Sequence, residues 1–325
     1  MTTRRDALMA LGAGIASIPF TARAQPARGL PRLGFAHPAS AEASAVYGAL
    51  IPGLADRGYV HGKSITLELR SANGRPKALP VLAADLVRLN VDVLLVVGAA
   101  AVKAAIAATH SIPIVAIDLE SDPVQSGWMS SMSRPGGNVT GFFLDLTAMS
   151  AKWLQLLREA VPAARQISLL WDTTTGGAQI AATRAAASAF AIDVHTVPIE
   201  NWSDFDVALN AAMRARTQAL VVLSSPTAFQ YWARIAEFTT RHRIPAISPL
   251  RPFAAAGGLM SYGPDLDLFF RRTAFTIDRI LKGAKPAEVA AEQPTKYEFV
   301  INFKTAKLLG LAIPQPLLLR ADEVI

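Results

Sequence analysis

Residues 86–100 ("LVRLNVDVLLVVGAA") and 211–225 ("AAMRARTQALVVLSS") carry one plan twice. Each starts at the end of a helix, breaks at polar residues, runs on as an apolar strand and closes on small residues that open the next helix. An apolar run without alternation suits a parallel strand buried on both faces. The repetition predicts two α/β lobes of one design.

The same alternation extends outward from both stretches. On the N-terminal side, 32–36 reads as a strand and 45–57 as a helix despite Pro52. Residues 65–69 alternate like a strand nearer an edge, and 79–89 have helical spacing. A helix over 99–110 and strands over 114–117 and 139–143 complete the first set. The second set has strands at 166–171, 194–198 and 219–223, with helices at 179–190, 205–216 and 229–242. The first crossing between lobes is expected at 144–147. The remaining strands, near 259–263 and 297–302, flank a helix at 266–281 and are placed to take the chain back to the first lobe and again to the second.

Composition bounds the function. A chain 51% hydrophobic and 18% charged is globular. The first 24 residues read as a cleavable export signal. Arg4 and Arg5 precede a short apolar stretch, and Ala22, Arg23 and Ala24 offer a cleavage site before Gln25. The paired arginines fit a twin-arginine route, and a general secretory route stays open. No later apolar run approaches the ~20 residues of a spanning helix. The chain has no cysteine, which excludes disulfides, thiolate metal sites, a cysteine nucleophile and a lipidated cysteine anchor. A net charge of +7 spread without basic blocks argues against nucleic acid.

Several stretches resemble the substrate-binding proteins of ABC transporters, in particular the tryptophan/tyrosine-type family. They are "GLADRGYVHGKSITLELRSANGR" (53–75), "LAADLVRLNVDVLLVVG" (82–98), "SRPGGNVTGF" (133–142), "GGLMSYGPD" (257–265), "RILKGAKPAEVAAEQPTKYEFVINFKTAKLLGL" (279–311) and "RADEVI" (320–325). The resemblance implies the α/β architecture of periplasmic binding proteins of type I: two Rossmann-like lobes with parallel sheets, joined by a three-strand hinge, with ligand between them. It divides the chain into 30–145 with 262–292 as lobe 1, and 146–261 with 293–325 as lobe 2.

In open α/β sheets, ligands lie beyond the carboxyl ends of the strands, near helix N-termini. That rule nominates His37 and Ser40 after the first strand, Gly98, Ala99 and Ala100 after the third, and Asp118 and Asp122 after the fourth. In the second lobe it nominates Trp171, Asp172, Thr173, Thr174, Ser224 and Ser225, with Tyr262 at the late crossing. Some of these have plain alternatives. His37 also fits a solvated loop, Asp122 before Pro123 a helix cap, and Trp171 or Tyr262 the core as readily as an aromatic wall. Relatives carry a hydroxyl or proline beside the glycine of "GAAAV" (98–102), so here only backbone N–H groups would hold an anion. Asp172 closes the most polar strand end, and Asp172→Ala is expected to weaken binding more than it lowers stability.

The function expected is capture of a small molecule, an amino acid or other small organic solute, in the periplasm and its delivery to ABC permease subunits in the membrane. The chain is expected to act as a monomer without cofactor, metal or catalytic group. A sensor docking on a receptor would look the same in sequence. An exported α/β enzyme is the third class, and GxSxG, P-loop and HExxH signatures are absent.

Overall fold

The computed structural model describes residues 29–40, 48–144 and 146–325. The expected export signal, the start of the helix expected at 45–57 and Asp145 at the lobe boundary lie outside them. No helix among the described residues is long and apolar enough to cross a membrane.

Five parallel strands build the first sheet: β1 (Arg32–His37), β2 (Thr66–Ser71), β3 (Val93–Val97), β4 (Ile114–Asp118) and β5 (Val139–Phe143), in the order β2-β1-β3-β4-β5. β3, β4 and β5 are buried along their whole length, whereas β2, at the edge, is half-buried. Helices α1 (Leu50–Ala55), α2 (Leu79–Arg88) and α3 (Ala99–Ala108) make the connections. Pro52 is tolerated because it sits in the first turn of α1, where no intrahelical N–H bond is needed. α2 buries Leu79, Ala83 and Leu86, a single stripe at helical spacing, against Leu94 and Val96 of β3.

The second sheet has seven strands: β6 (Gln166–Asp172), β7 (Asp193–Ile199), β8 (Ala219–Val222), β9 (Ala246–Ser248), β10 (Met260–Pro264), β11 (Tyr297–Ile301) and β12 (Glu323–Val324). Their order is β12-β11-β10-β9-β8-β6-β7, and only the β10–β11 pair is antiparallel. Its helices include α4 (Ser150–Ala160), α5 (Ala178–Ala189), α6 (Phe205–Arg214), α7 (Trp232–Arg241) and the short α8 (Arg251–Ala255). Four of these elements were not read from the sequence: β9, α4, the short α8 and the two-residue β12. β9 has three residues between Pro245 and Pro249, too few to show a period. α4 follows the crossing directly and buries Trp153, Leu154 and Leu157.

Helix α9 (Leu266–Leu281) leaves the second sheet and packs on the first lobe. A Cβ on Gly53 of α1 would stand 3.0 Å from Ala274 Cβ, so glycine permits this close approach. The rings of Phe269 and Phe142 meet edge to face at 5.0 Å. The expected lobe boundary at 262 falls inside β10, which stays paired with β11 through Pro264; the return to the first lobe comes at Asp265, which caps α9.

Three segments thus cross between the lobes, and they are tied to one another. The Phe143 amide donates to the Glu292 carbonyl at 3.0 Å, and the Asp265 amide to the Lys296 carbonyl at 3.2 Å. The Lys296 ammonium reaches the Asp265 carboxylate at 2.9 Å. A continuous core runs through this hinge, from Leu95 and Ile117 past Leu146 and Trp153 to Leu169 and Val221. Thr140 Oγ1 donates to the Val289 carbonyl at 2.7 Å in this buried region. Thr140→Val is expected to cost about 1 kcal/mol, the net worth of one hydrogen bond, read in a urea titration. An unchanged midpoint would show that the bond adds nothing to the hinge.

Candidate functional site

The carboxyl ends of both sheets face one cleft, and the loops that leave them touch across it. From the first lobe come the loops after β1, β3 and β4; from the second come those after β6 and β8. The Ser40 amide donates to Gln230 Oε1 at 3.3 Å, and Ser224 Oγ donates to Glu120 Oε1 at 2.6 Å. A Cβ on Gly98 would stand only 2.7 Å from Pro226 Cγ. Glycine with φ +82 is therefore required twice at the start of α3, by its backbone and by the opposite lobe.

Two spaces lie in the cleft. A small cavity of about 10 Å³ sits between Gly98, Ala99, Ala100 and Glu120 on one side and Thr174, Thr175 and Pro226 on the other. An open cavity of about 550 Å³ continues outward past Lys103, Ser121 and Asp122 to the turn Thr173–Thr175 and the N-terminus of α5. Gln179 of α5 holds the β8 loop in place: its Oε1 accepts from the Ser224 amide at 3.1 Å and its Nε2 donates to the Ser224 carbonyl at 3.2 Å.

The acidic segment after β4 carries the site's charge. Asp118 is 0% exposed, and neither carboxylate oxygen has a hydrogen bond of good geometry, although Glu120, Ser121 and the Ala99 amide surround it. Glu120 is 4% exposed. Burial pushes both carboxyls above the usual carboxylate range, and the charge of Asp118 pushes Glu120 further.

The structure brings Gly98, Ala99, Ala100, Asp122, Thr173, Thr174 and Ser224 to the cleft, with Ser40 at its edge; Asp118 is buried behind it, beside Glu120 and the Ala99 amide. The Asp122 carboxylate also accepts from the amides of Val124 and Gln125, at 2.8 and 3.1 Å, as a turn cap does. Other nominated side chains are engaged elsewhere. The Asp172 carboxylate accepts four hydrogen bonds from Thr174, Trp202 and Ser225 within its own lobe. Ser225 Oγ, besides donating to Asp172, accepts from the amides of Thr227 and Ala228. The Trp171 indole donates to the Gly176 carbonyl at 2.8 Å, and its ring packs on the core. Tyr262 stacks beside Tyr297 in the second sheet. His37 is fully buried beside Phe35, with burial lowering its pKa to about 4.

Sequence reasoning missed Glu120, Thr175, Gln179, Pro226 and Gln230. Only Glu120 carried a signal: it is a second carboxylate two residues past Asp118, in the bend that follows the same strand end.

Residues 35–325 match the family described as ABC transporter substrate binding protein. The chain is 23% identical over 269 residues to a tyrosine-binding protein of Clostridioides difficile (strain R20291), covering 80% of this chain and 75% of that one. Among solved structures, a conserved domain protein from Vibrio cholerae O1 biovar El Tor matches with a TM-score of 0.82 and 22% identity. An ABC domain from Streptococcus pneumoniae in complex with L-Trp matches with a TM-score of 0.81 and 22% identity. Each alignment covers 91% of this chain and 100% of the other. With two α/β lobes, a three-segment hinge and a family match over nearly its whole length, this chain belongs to the ABC transporter substrate-binding protein family.

Proposed function

We propose that the protein is a periplasmic receptor that closes its lobes over a small amino-acid-type solute and presents it to the permease of an ABC transporter. It acts as a monomer and as a binder, leaving the solute chemically unchanged. The observation that carries this reading is the meeting of opposed strand-end loops across a cleft, with a hinge of three crossing segments behind it. The moving bodies are 29–144 with 265–292, and 146–264 with 293–325; residues 1–24 serve export. The names of the relatives put L-tyrosine and L-tryptophan first among the solutes to try.

A thermal-shift screen of amino acids and small organic acids tests this. At a hundred times its Kd, a ligand adds about 2.7 kcal/mol. A binder should also make the particle more compact in small-angle scattering, and should be recovered intact by mass spectrometry. A solute that raises the melting temperature without compaction would indicate a rigid pocket and sink the receptor reading. A converted solute would make the protein an enzyme.

A further inference from the structure

The sequence has no block of basic residues, yet the fold gathers five arginines at one pole of the second lobe. β6, β8 and β9 are neighbouring parallel strands, so the loops that enter them lie side by side, at the opposite end of the sheet from the cleft. These loops carry Arg165 before β6, Arg214 and Arg216 before β8, and Arg241 and Arg243 before β9, all exposed. The loops are tied together. Gln218 Oε1 accepts from the Arg165 and Gln166 amides at 2.6 and 3.0 Å, and the Leu220 amide donates to the Pro245 carbonyl at 2.9 Å. Against the five charges stand Glu237, which pairs with Arg241, and Asp193 at the start of β7. Glu159 of α4 is taken by Arg320. Arg165 donates to the Pro162 and Ala164 carbonyls, which leaves its charge unneutralised. Arg214, Arg216 and Arg243 have no ion pair among the described residues.

Two of these arginines stand where the backbone favours another residue. Arg216 has φ +54 and Arg243 φ +55. Each is the left-handed residue that closes a helix. Its own amide donates to the carbonyl of Met213 or Thr240, and the next amide reaches back to that of Ala212 or Thr239. Glycine or asparagine takes this conformation at less cost than arginine. The first lobe uses asparagine at the matching place: Asn90, with φ +50, stands three residues before β3, as Arg216 stands three residues before β8. The first lobe also balances its charge there. Arg88, the counterpart of Arg214, pairs with Asp85 at 2.8 Å, and Asp92 is the counterpart of Gln218. In the second lobe Ala211 holds the place of Asp85. The two lobes share one plan, so the plan itself requires neither the charge nor the strain at this pole.

We propose that this pole is a docking surface for an anionic membrane, which holds the second lobe against phospholipid headgroups and leaves the cleft free. None of the exposed side chains in the three loops is large and apolar, so the pole lacks the buried apolar centre on which a protein partner packs. A plane of phosphates needs no such centre, and a guanidinium meets phosphate oxygens two at a time. Each arginine beside an anionic bilayer raises affinity by about fivefold. In a chain without a cysteine to carry a lipid anchor, surface charge is a means of staying beside a membrane permease. The docking does not depend on which solute the cleft takes.

Co-sedimentation with vesicles tests this, using the processed protein recovered after export. The protein should pellet with vesicles of phosphatidylcholine and phosphatidylglycerol in equal parts and stay in solution with phosphatidylcholine alone. It should be released as salt rises from about 0.05 to 0.5 M. The Arg216→Asn, Arg243→Asn double variant should bind the anionic vesicles at least about tenfold more weakly. Its melting temperature should equal that of wild type or exceed it, because asparagine suits the left-handed position. Arg165→Gln with Arg214→Gln leaves both left-handed residues untouched and should weaken binding likewise. Arg88→Asn with Arg134→Asn removes the same charge elsewhere on the surface and should bind as wild type does. Pelleting with both kinds of vesicle, or with neither, overturns the proposal. So does an equal loss in all three double variants, which would make net charge the cause. Retention on a sulfated polyanion resin through Arg216 and Arg243, without vesicle binding, overturns it as well and points to a soluble acidic partner.

Discussion

Asp172→Ala is expected to lower the stability of the second lobe by about 3–7 kcal/mol, with little effect on the affinity of the protein that remains folded. The residue is 3% exposed. One carboxylate oxygen accepts from the Thr174 amide at 2.9 Å and the Thr174 hydroxyl at 2.6 Å. The other accepts from the Trp202 indole at 2.9 Å and from Ser225 Oγ at 2.6 Å. Alanine removes the cap of the turn after β6, worth about 1 kcal/mol. It also leaves two buried donors without acceptors, at about 1–3 kcal/mol each. Together these exceed what a surface aspartate contributes. Asp56→Ala is the comparison: its carboxylate lies 3.5 Å from the Arg271 guanidinium and is exposed, so its loss should stay within about 0.5 kcal/mol. Urea denaturation followed by tryptophan fluorescence separates the two variants. If Asp172→Ala melted like Asp56→Ala, the carboxylate would not be what joins the β6 and β8 loops to Trp202.

That result reverses the order of effects expected from sequence, and the reason is general. A polar strand end reads the same whether its carboxylate faces a ligand or a neighbouring loop. The donors that engage Asp172 come from Trp202 and Ser225, 30 and 53 residues away, and only the folded chain places them. The lobes were legible because residues 86–100 and 211–225 are buried βα units, whose apolar runs leave few alternatives. β9 was not, because three residues hold no period. The strand-end rule found the loops of the cleft for a topological reason: parallel strands send all their C-terminal loops to one side. It could not tell which side chains in those loops remain available. Thus Thr174 and Gly98 do line the cleft, Trp171 and Tyr262 pack elsewhere, and Glu120 was passed over beside Asp118.

Gly98→Ala should prevent the lobes from reaching their closed separation. Two costs are involved, and a second glycine separates them. Gly98 has φ +82 and ψ 153, a region that is strained for any residue with a side chain, at about 1–3 kcal/mol. Gly176 has nearly the same backbone, φ +76 and ψ 177, but a Cβ there would meet nothing within 4 Å. Gly176→Ala therefore carries the backbone cost alone. Gly98→Ala carries it together with a methyl group 2.7 Å from Pro226 Cγ, well inside the ~3.5 Å at which carbon atoms attract. The two variants should lose similar stability. Only Gly98→Ala should bind its solute more weakly, by tenfold or more for a closed state raised by ~1.4 kcal/mol. Scattering at saturating solute should then show a particle larger than wild type for Gly98→Ala and unchanged for Gly176→Ala. Equal affinity and equal compaction in both would mean that the β3 and β8 loops do not come together on binding.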